Sequence, residues 1–190
     1  LQKAIDEGRN PFHGKHLRRR MYEEKRLLCK HQVRAYGRYV SFAIVRNPWD
    51  RLVSCYVQKI EQKDNSSGPN RKGTTGALDR AGAFDPDMSF AEFARAVAAI
   101  PDEEAGRHFR SQYTFLCDRR GNLLPERLGR FEHLAEDLSR VTDGALAGNN
   151  LPHLKKTRRR DYRDYYDEET RDLVARRFAR DIELFGYTYE

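Results

Sequence analysis

Two side chains near residue 50 have the chemistry and spacing of an anion-binding site. Arg46 follows an apolar segment and precedes a predicted helix start at Asn47, and Ser54 lies nearly two helical turns beyond Asn47. Arg offers a fork of charged N–H donors and Ser a compact hydroxyl donor, so together they suit one phosphate-sized group. Spacing alone is explained equally well if Arg46 forms a structural ion pair and Ser54 merely faces solvent.

The segment that carries Arg46 is predicted to be a strand followed at once by a helix. Residues 39–45, YVSFAIV, are apolar without strict alternation, which is typical of a strand covered on both faces in a parallel sheet. Asn47 suits an N-cap, Pro48 the first helical position and Asp50 the first turn, so a helix should run to about residue 62. Its N-terminus would offer backbone N–H groups to an anion.

Further helices and strands are predicted downstream, giving an α/β class. Ser89 and Glu92 have the spacing of a capping box before a helix with Phe90, Phe93, Ala94 and Val97 on its inner face. Residues 111–117 indicate a turn and a short strand, and residues 128–131 a strand that leads into a helix over 134–142. A last helix is expected from about residue 167 to Gly186. Residues 63–88 and 155–160 are predicted loops.

The composition favours a globular protein with anionic partners. The chain has 190 residues and a net charge of +7, from 36 Lys and Arg against 29 Asp and Glu. Its three cysteines form no metal-binding pattern and favour a reducing compartment, with Cys55 expected to be a buried thiol. The sequence has no run of about 18 apolar residues, so no membrane span is predicted. A bacterial cytoplasm is the expected location.

Residues 42–56, FAIVRNPWDRLVSCY, closely resemble the 3'-phosphate-binding segment of sulfotransferases that use 3'-phosphoadenosine 5'-phosphosulfate (PAPS). The family includes the chondroitin and heparan sulfotransferases and many small bacterial relatives. The resemblance continues, in the expected order, through residues 108–112, 129–138, 165–167 and 181–187. It covers most of residues 13–190.

The resemblance implies a single three-layer αβα domain of P-loop NTPase type over residues 1–190, with a short parallel sheet. It implies transfer of a sulfuryl group from PAPS, as co-substrate and without a metal, to a hydroxyl or amine of an acceptor, with a carbohydrate favoured and nucleic acid disfavoured. Arg46 and Ser54 would bind the 3'-phosphate of the donor. A histidine would act as base, with His16 preferred and His13 second.

Two basic segments have roles that the sequence leaves open. Lys156 and Arg158 belong to the run KKTRRR over residues 155–160, which either forms a solvated turn or contacts the donor phosphates or an anionic acceptor. Residues 71–76, RKGTTG, are interpreted as a flexible basic loop because no strand precedes them.

The sequence departs from its relatives at the beginning. Those relatives start with a strand and a glycine-rich loop that holds the 5'-phosphosulfate, and nothing before His13 has that pattern. That strand and loop are therefore expected to be missing from residues 1–190. His108, Gln112 and Glu132 match family positions, but their spacing indicates no chemical role.

Two other functions compete with sulfuryl transfer. A non-catalytic module that binds polyanions or nucleotides would use the charge of +7. A P-loop kinase fits less well, because the sequence has no GxxxxGK[ST] pattern and no evident Mg²⁺ ligands. The oligomeric state is open.

Overall fold

The computed structural model describes residues 40–61, 85, 87–144 and 159–190. Two compact units divide the chain, Leu1–Val40 and Ser41–Glu190, and the elements below belong to the second. The predicted single domain over residues 1–190 stays a prediction. The loops at 71–76 and 155–158 lie outside the described residues, as do His13 and His16.

Two short parallel strands form the sheet. Strand β1 (Phe42–Val45) pairs with β2 (Arg127–Arg130), with Ile44 opposite Gly129. Gly129 is required for close packing here, because a Cβ at this position would lie 2.7 Å from Ile44 Cδ1 and 3.0 Å from Asp137 Cβ. The parallel pairing confirms the prediction. Coverage on both faces holds only for the end of β1, since Val45 is buried while Phe42 is 40% exposed.

Helix α1 (Pro48–Tyr56) begins where β1 ends and continues as a π-helical turn, Val57–Glu61. Asn47 caps it, with its side chain accepting from the N–H groups of Trp49 and Asp50. The predicted strand–turn–helix unit is therefore present. The buried face of the helix and turn consists of Trp49, Leu52, Val53, Cys55, Tyr56, Val57 and Ile60. Burial also raises the pKa of the Cys55 thiol to about 11, which confirms the expected buried cysteine.

Helix α2 (Phe90–Ala99) begins with the predicted capping box of Ser89 and Glu92. Its buried residues are Phe90, Phe93, Ala94 and Val97, as expected. Phe93 lies centrally, with its ring centroid 5.4 Å from that of Tyr56 and 5.6 Å from that of Phe109. These aromatic contacts join α2 to α1 and to the segment before residue 110.

The segment 111–117 differs from the prediction of a short strand. It contains the short helix α3 (Tyr113–Leu116), and only Cys117 makes an isolated antiparallel bridge, to Leu123. The reason is tertiary. The carboxylate of Asp181 accepts hydrogen bonds from the N–H groups of Gln112 and Tyr113, which satisfies donors at the helix start that local sequence leaves open.

The described residues beyond β2 form three further α-helices and a 3₁₀ helix, Tyr162–Tyr165. Helix α4 (Leu134–Val141) follows β2 through a 3₁₀ turn at Phe131–His133, as the sequence predicted. The expected last helix is present as two, α5 (Glu168–Arg177) and α6 (Ala179–Phe185), because Phe178 departs from helical geometry with φ −111° and ψ 23°. Gly186 ends α6 with φ +62°, a left-handed conformation that favours glycine.

The second unit is thus a mixed α/β fold whose parallel sheet is flanked by helices packed through one apolar core. Within the part of the chain that the structure describes, no helix combines the length and apolar character needed to cross a membrane.

Candidate functional site

The candidate site lies where the two strands end. Arg46 follows β1, and Phe131 and Glu132 follow β2. Because the strands are parallel, their carboxyl ends meet at one edge of the sheet, the edge at which open α/β folds usually bind ligands. The start of α1 lies at the same edge.

Arg46 is held in place and keeps unused donors. Its Nε donates to Asp50 Oδ2 at 2.6 Å, and its guanidinium carbon lies 4.4 Å from the centroid of the Phe131 ring. Its Nη1 and Nη2 groups have no hydrogen-bond partner among the described residues, and the side chain is 21% exposed. Arg46 therefore forms the ion pair considered from the sequence, while two of its nitrogens stay available to an anion.

A second guanidinium shares the same carboxylate. Arg159 Nη2 contacts Asp50 Oδ1, and both side chains are 14% exposed. Arg159 Nη1 is buried and has no hydrogen-bond partner among the described residues. Two cations thus share one carboxylate in a partly desolvated place, where charges interact more strongly than in water.

The start of α1 does not offer free N–H groups, contrary to the expectation from sequence. The Asn47 side chain accepts from Trp49 N–H at 3.0 Å and from Asp50 N–H at 3.5 Å, while Glu132 Oε1 accepts from Asn47 N–H at 2.6 Å. Pro48 has no N–H. An anion at this edge would thus be bound by side chains rather than by the backbone.

Gln112 and Glu132, to which the sequence assigned no role, contact the backbone at the β1–α1 junction. The Gln112 amide hydrogen-bonds both backbone groups of Arg46. Glu132 accepts from Asn47 N–H and, through Oε2, from the Tyr187 hydroxyl at 3.2 Å. The two side chains fix the position from which the Arg46 side chain extends.

Ser54 lies on α1, four residues after Asp50, and is half-buried. Side chains four residues apart occupy one face of a helix, so Asp50 lies between Arg46 and Ser54 along this face. The Ser54 hydroxyl has no hydrogen-bond partner among the described residues. A shared site of Arg46 and Ser54 stays a prediction.

The structure gives no contacts for the other predicted site residues. His16, His13, Lys156 and Arg158 lie outside the described residues. Trp49 packs in the core, 4% exposed, with Nε1 donating to the carbonyl oxygen of Arg171. Within the described ranges, no group of side chains has the composition of a metal site.

Sequence reasoning missed Asp50 and Arg159 as members of the site. The spacing of four residues between Arg46 and Asp50 was a usable signal, because oppositely charged residues at this spacing pair on helices. No local signal pointed to Arg159, which lies 109 residues beyond Asp50.

Comparison with known families identifies the class of protein. A sequence model of the Sulfotransferase family matches residues 3–188, nearly the whole chain. The chain belongs to the sulfotransferase family, which confirms the resemblance seen in residues 42–56. Neither a comparison with curated proteins nor one with solved structures found a match.

Proposed function

We propose that this protein transfers a sulfuryl group from PAPS to a hydroxyl or amine of an acceptor, with a carbohydrate as the favoured acceptor class. Membership of the sulfotransferase family supports sulfuryl transfer in general. PAPS as donor, the carbohydrate acceptor and a histidine base, His16 or else His13, are parts of the proposal. So is a three-layer fold of P-loop type.

One observation carries the donor assignment. Arg46 is stacked on Phe131 and paired with Asp50 at the carboxyl edge of the sheet, yet two of its guanidinium nitrogens have no partner among the described residues. A guanidinium with its orientation set and its outer donors unused is suited to bidentate binding of a phosphate.

The side chains at this edge fit the 3'-phosphate of PAPS. Arg46 would hold it through its Nη groups and Ser54 through its hydroxyl. The guanidinium of Arg159, whose buried Nη1 has no partner within the described part of the chain, shares Asp50 with Arg46 and would add a further donor. Lys156 and Arg158, in the same basic run as Arg159, are proposed to contact the donor phosphates.

When bound, PAPS supplies the sulfuryl group and a phosphate leaving group. The chain's own residues would bind and orient: a fixed Arg46 sets the position of the nucleotide, and an immobilised donor lowers the entropic cost of bringing two reactants together. A neutral histidine would take the proton from the acceptor hydroxyl or amine.

The test is calorimetric titration with two nucleotides, adenosine 3',5'-bisphosphate (PAP) and AMP, which differ by the 3'-phosphate. We expect the wild-type chain to bind PAP in the micromolar range and more tightly than AMP by about tenfold or more, because charge-assisted hydrogen bonds contribute about 1.5–3 kcal/mol. Arg46→Ala should abolish PAP binding or reduce it to the level of AMP.

Arg95→Ala is the matched control. It also removes one arginine and one ion pair, with Glu169 at 2.9 Å, but from an exposed position on α2. It should leave the affinity for PAP unchanged. An Arg46→Ala protein that keeps the preference for PAP would contradict the site, and a wild-type chain without PAP binding would contradict the proposed function.

A further inference from the structure

The backbone of Arg46 is held by a side chain from a distant part of the sequence. Gln112 donates from Nε2 to the Arg46 carbonyl oxygen at 2.8 Å and accepts at Oε1 from Arg46 N–H at 2.9 Å. A primary amide carries a donor and an acceptor, as a peptide group does, so Gln112 pairs with Arg46 as a neighbouring strand would. The two residues are 66 positions apart.

Gln112 is itself anchored through its backbone. Asp181, which is fully buried, accepts from Gln112 N–H at 2.7 Å and from Tyr113 N–H at 2.8 Å. The preceding residue, Ser111, donates its N–H to Asp102 at 2.9 Å. Three consecutive N–H groups therefore end on buried or half-buried carboxylates, so the Gln112 side chain extends from a fixed backbone.

The pKa of Asp181 reflects both its burial and the groups that donate to it. Burial raises the pKa of Asp181 above its ordinary value, while the N–H donors of Gln112 and Tyr113 act in the opposite direction because they stabilise the carboxylate. The charge of Arg51 and the Gln112 side chain also stabilise the carboxylate.

The Gln112 side-chain amide hydrogen-bonds both backbone groups of Arg46, and it also interacts with the buried carboxylate of Asp181. We infer that Gln112 is a positioning residue of the 3'-phosphate site: it fixes the backbone of Arg46 so that the guanidinium stacks on Phe131 and keeps its outer nitrogens available. This inference rests on the proposed function. It goes beyond it because Gln112 acts through Arg46 and touches no ligand.

Two substitutions separate the hydrogen bonds from the space that Gln112 fills. Gln112→Leu keeps similar bulk and removes both bonds. Gln112→Glu keeps an acceptor for Arg46 N–H, removes the donor and places a carboxylate beside the Arg46 carbonyl. The second variant also serves if the first does not fold.

Tyr56→Phe is the matched control. It likewise removes a bond from a buried side chain to a backbone carbonyl, that of Met88 at 3.2 Å, but at the far end of α1. Both kinds of variant should lower the melting temperature. Only the Gln112 variants should change the preference for PAP and the hydrogen exchange of the Arg46 amide.

The first readout is the ratio of the dissociation constants for AMP and PAP. We expect either Gln112 variant to lower this ratio towards one, the value expected for Arg46→Ala, because a small displacement of a positioned group is costly, whereas Tyr56→Phe should leave it unchanged. A general loss of stability would weaken the binding of PAP and AMP to the same extent and leave the ratio unchanged. A Gln112 variant with the wild-type ratio would overturn the positioning role.

The second readout is hydrogen exchange at the Arg46 amide, which does not depend on any ligand. Exchange there should accelerate in Gln112→Leu and stay slow in Tyr56→Phe. Unchanged exchange in Gln112→Leu would overturn the contact itself. If the wild-type chain binds no PAP while exchange is still faster in Gln112→Leu than in the wild type, the proposed function is overturned, and with it the role of Gln112, but the contact stays established.

Discussion

At the scale of single residues, the charge balance around Asp50 is the central feature. One carboxylate contacts two guanidiniums, those of Arg46 and Arg159, and all three side chains are largely shielded from water. The carboxylate both orients Arg46 and offsets the repulsion between the two cations.

Asp50→Asn should lower the free energy of unfolding by about 1–3 kcal/mol, because it leaves two partly buried cations without their shared partner. Added sulfate should then raise the melting temperature of this variant more than that of the wild type, since the anion supplies the missing charge. Thermal unfolding with and without sulfate measures both effects.

Asp102→Asn is the control for this comparison. Asp102 has the same 14% exposure and pairs with one arginine, Arg177, at 2.7 Å. The Asp102→Asn variant should be less stable than the wild type. Added sulfate should not raise its melting temperature more than that of the wild type. Equal gains in the wild type and in Asp50→Asn would count against an anion site between Arg46 and Arg159.

At the scale of elements, the start of α1 connects the site to the core. Asn47 is 6% exposed and uses both ends of its amide: Oδ1 caps the helix, and Nδ2 donates to the carbonyl oxygen of Thr188 at 3.0 Å. Trp49, two residues later, is buried against Tyr189 with ring centroids 5.5 Å apart. The first turn of α1 is thus fastened to the C-terminal segment.

Asn47→Ala should cost about 2 kcal/mol of unfolding free energy, at the upper end for an N-cap, because a buried donor contact is lost together with the cap. Ser89→Ala, at the exposed start of α2, should cost about 1 kcal/mol because only the two bonds of the hydroxyl are lost, one accepted from Glu92 N–H and one donated to the Glu92 carboxylate. Urea unfolding compares the two. If Asn47→Ala lowers the free energy of unfolding by less than Ser89→Ala does, the Thr188 contact contributes nothing.

At the scale of the whole molecule, the net charge of +7 creates a general attraction for anions that is distinct from the site at Arg46. This attraction is the basis of the alternative function as a polyanion-binding module. Diffuse attraction is screened by salt, whereas bonds from fixed, partly buried donors are screened much less.

We therefore expect heparin binding to weaken steeply between about 50 and 200 mM salt. The preference for PAP over AMP should persist over that range, and Arg46→Ala should retain heparin binding because 35 of the 36 cationic side chains remain. Affinity measurements at several salt concentrations test both expectations. Loss of the PAP preference in parallel with heparin affinity would favour the polyanion-binding module.

The local parts of this structure followed from the sequence. The β1–α1 unit, its Asn47 cap and the capping box at Ser89 each depend on residues within a few positions of one another, so composition and spacing predict them. The ion pair of Arg46 with Asp50, four residues apart, likewise depends on local spacing. Family membership followed from residues 42–56 and the ordered segments beyond them.

Only the tertiary structure decided what surrounds Arg46. Gln112, Glu132 and Arg159 come from 66 residues beyond Arg46, 85 beyond Asn47 and 109 beyond Asp50. No local pattern encodes such convergence, because it depends on how strands and helices pack. The same cause explains two of the errors: Asp181 turned a predicted strand into α3, and Glu132 occupied an N–H group that local reasoning had left for the anion.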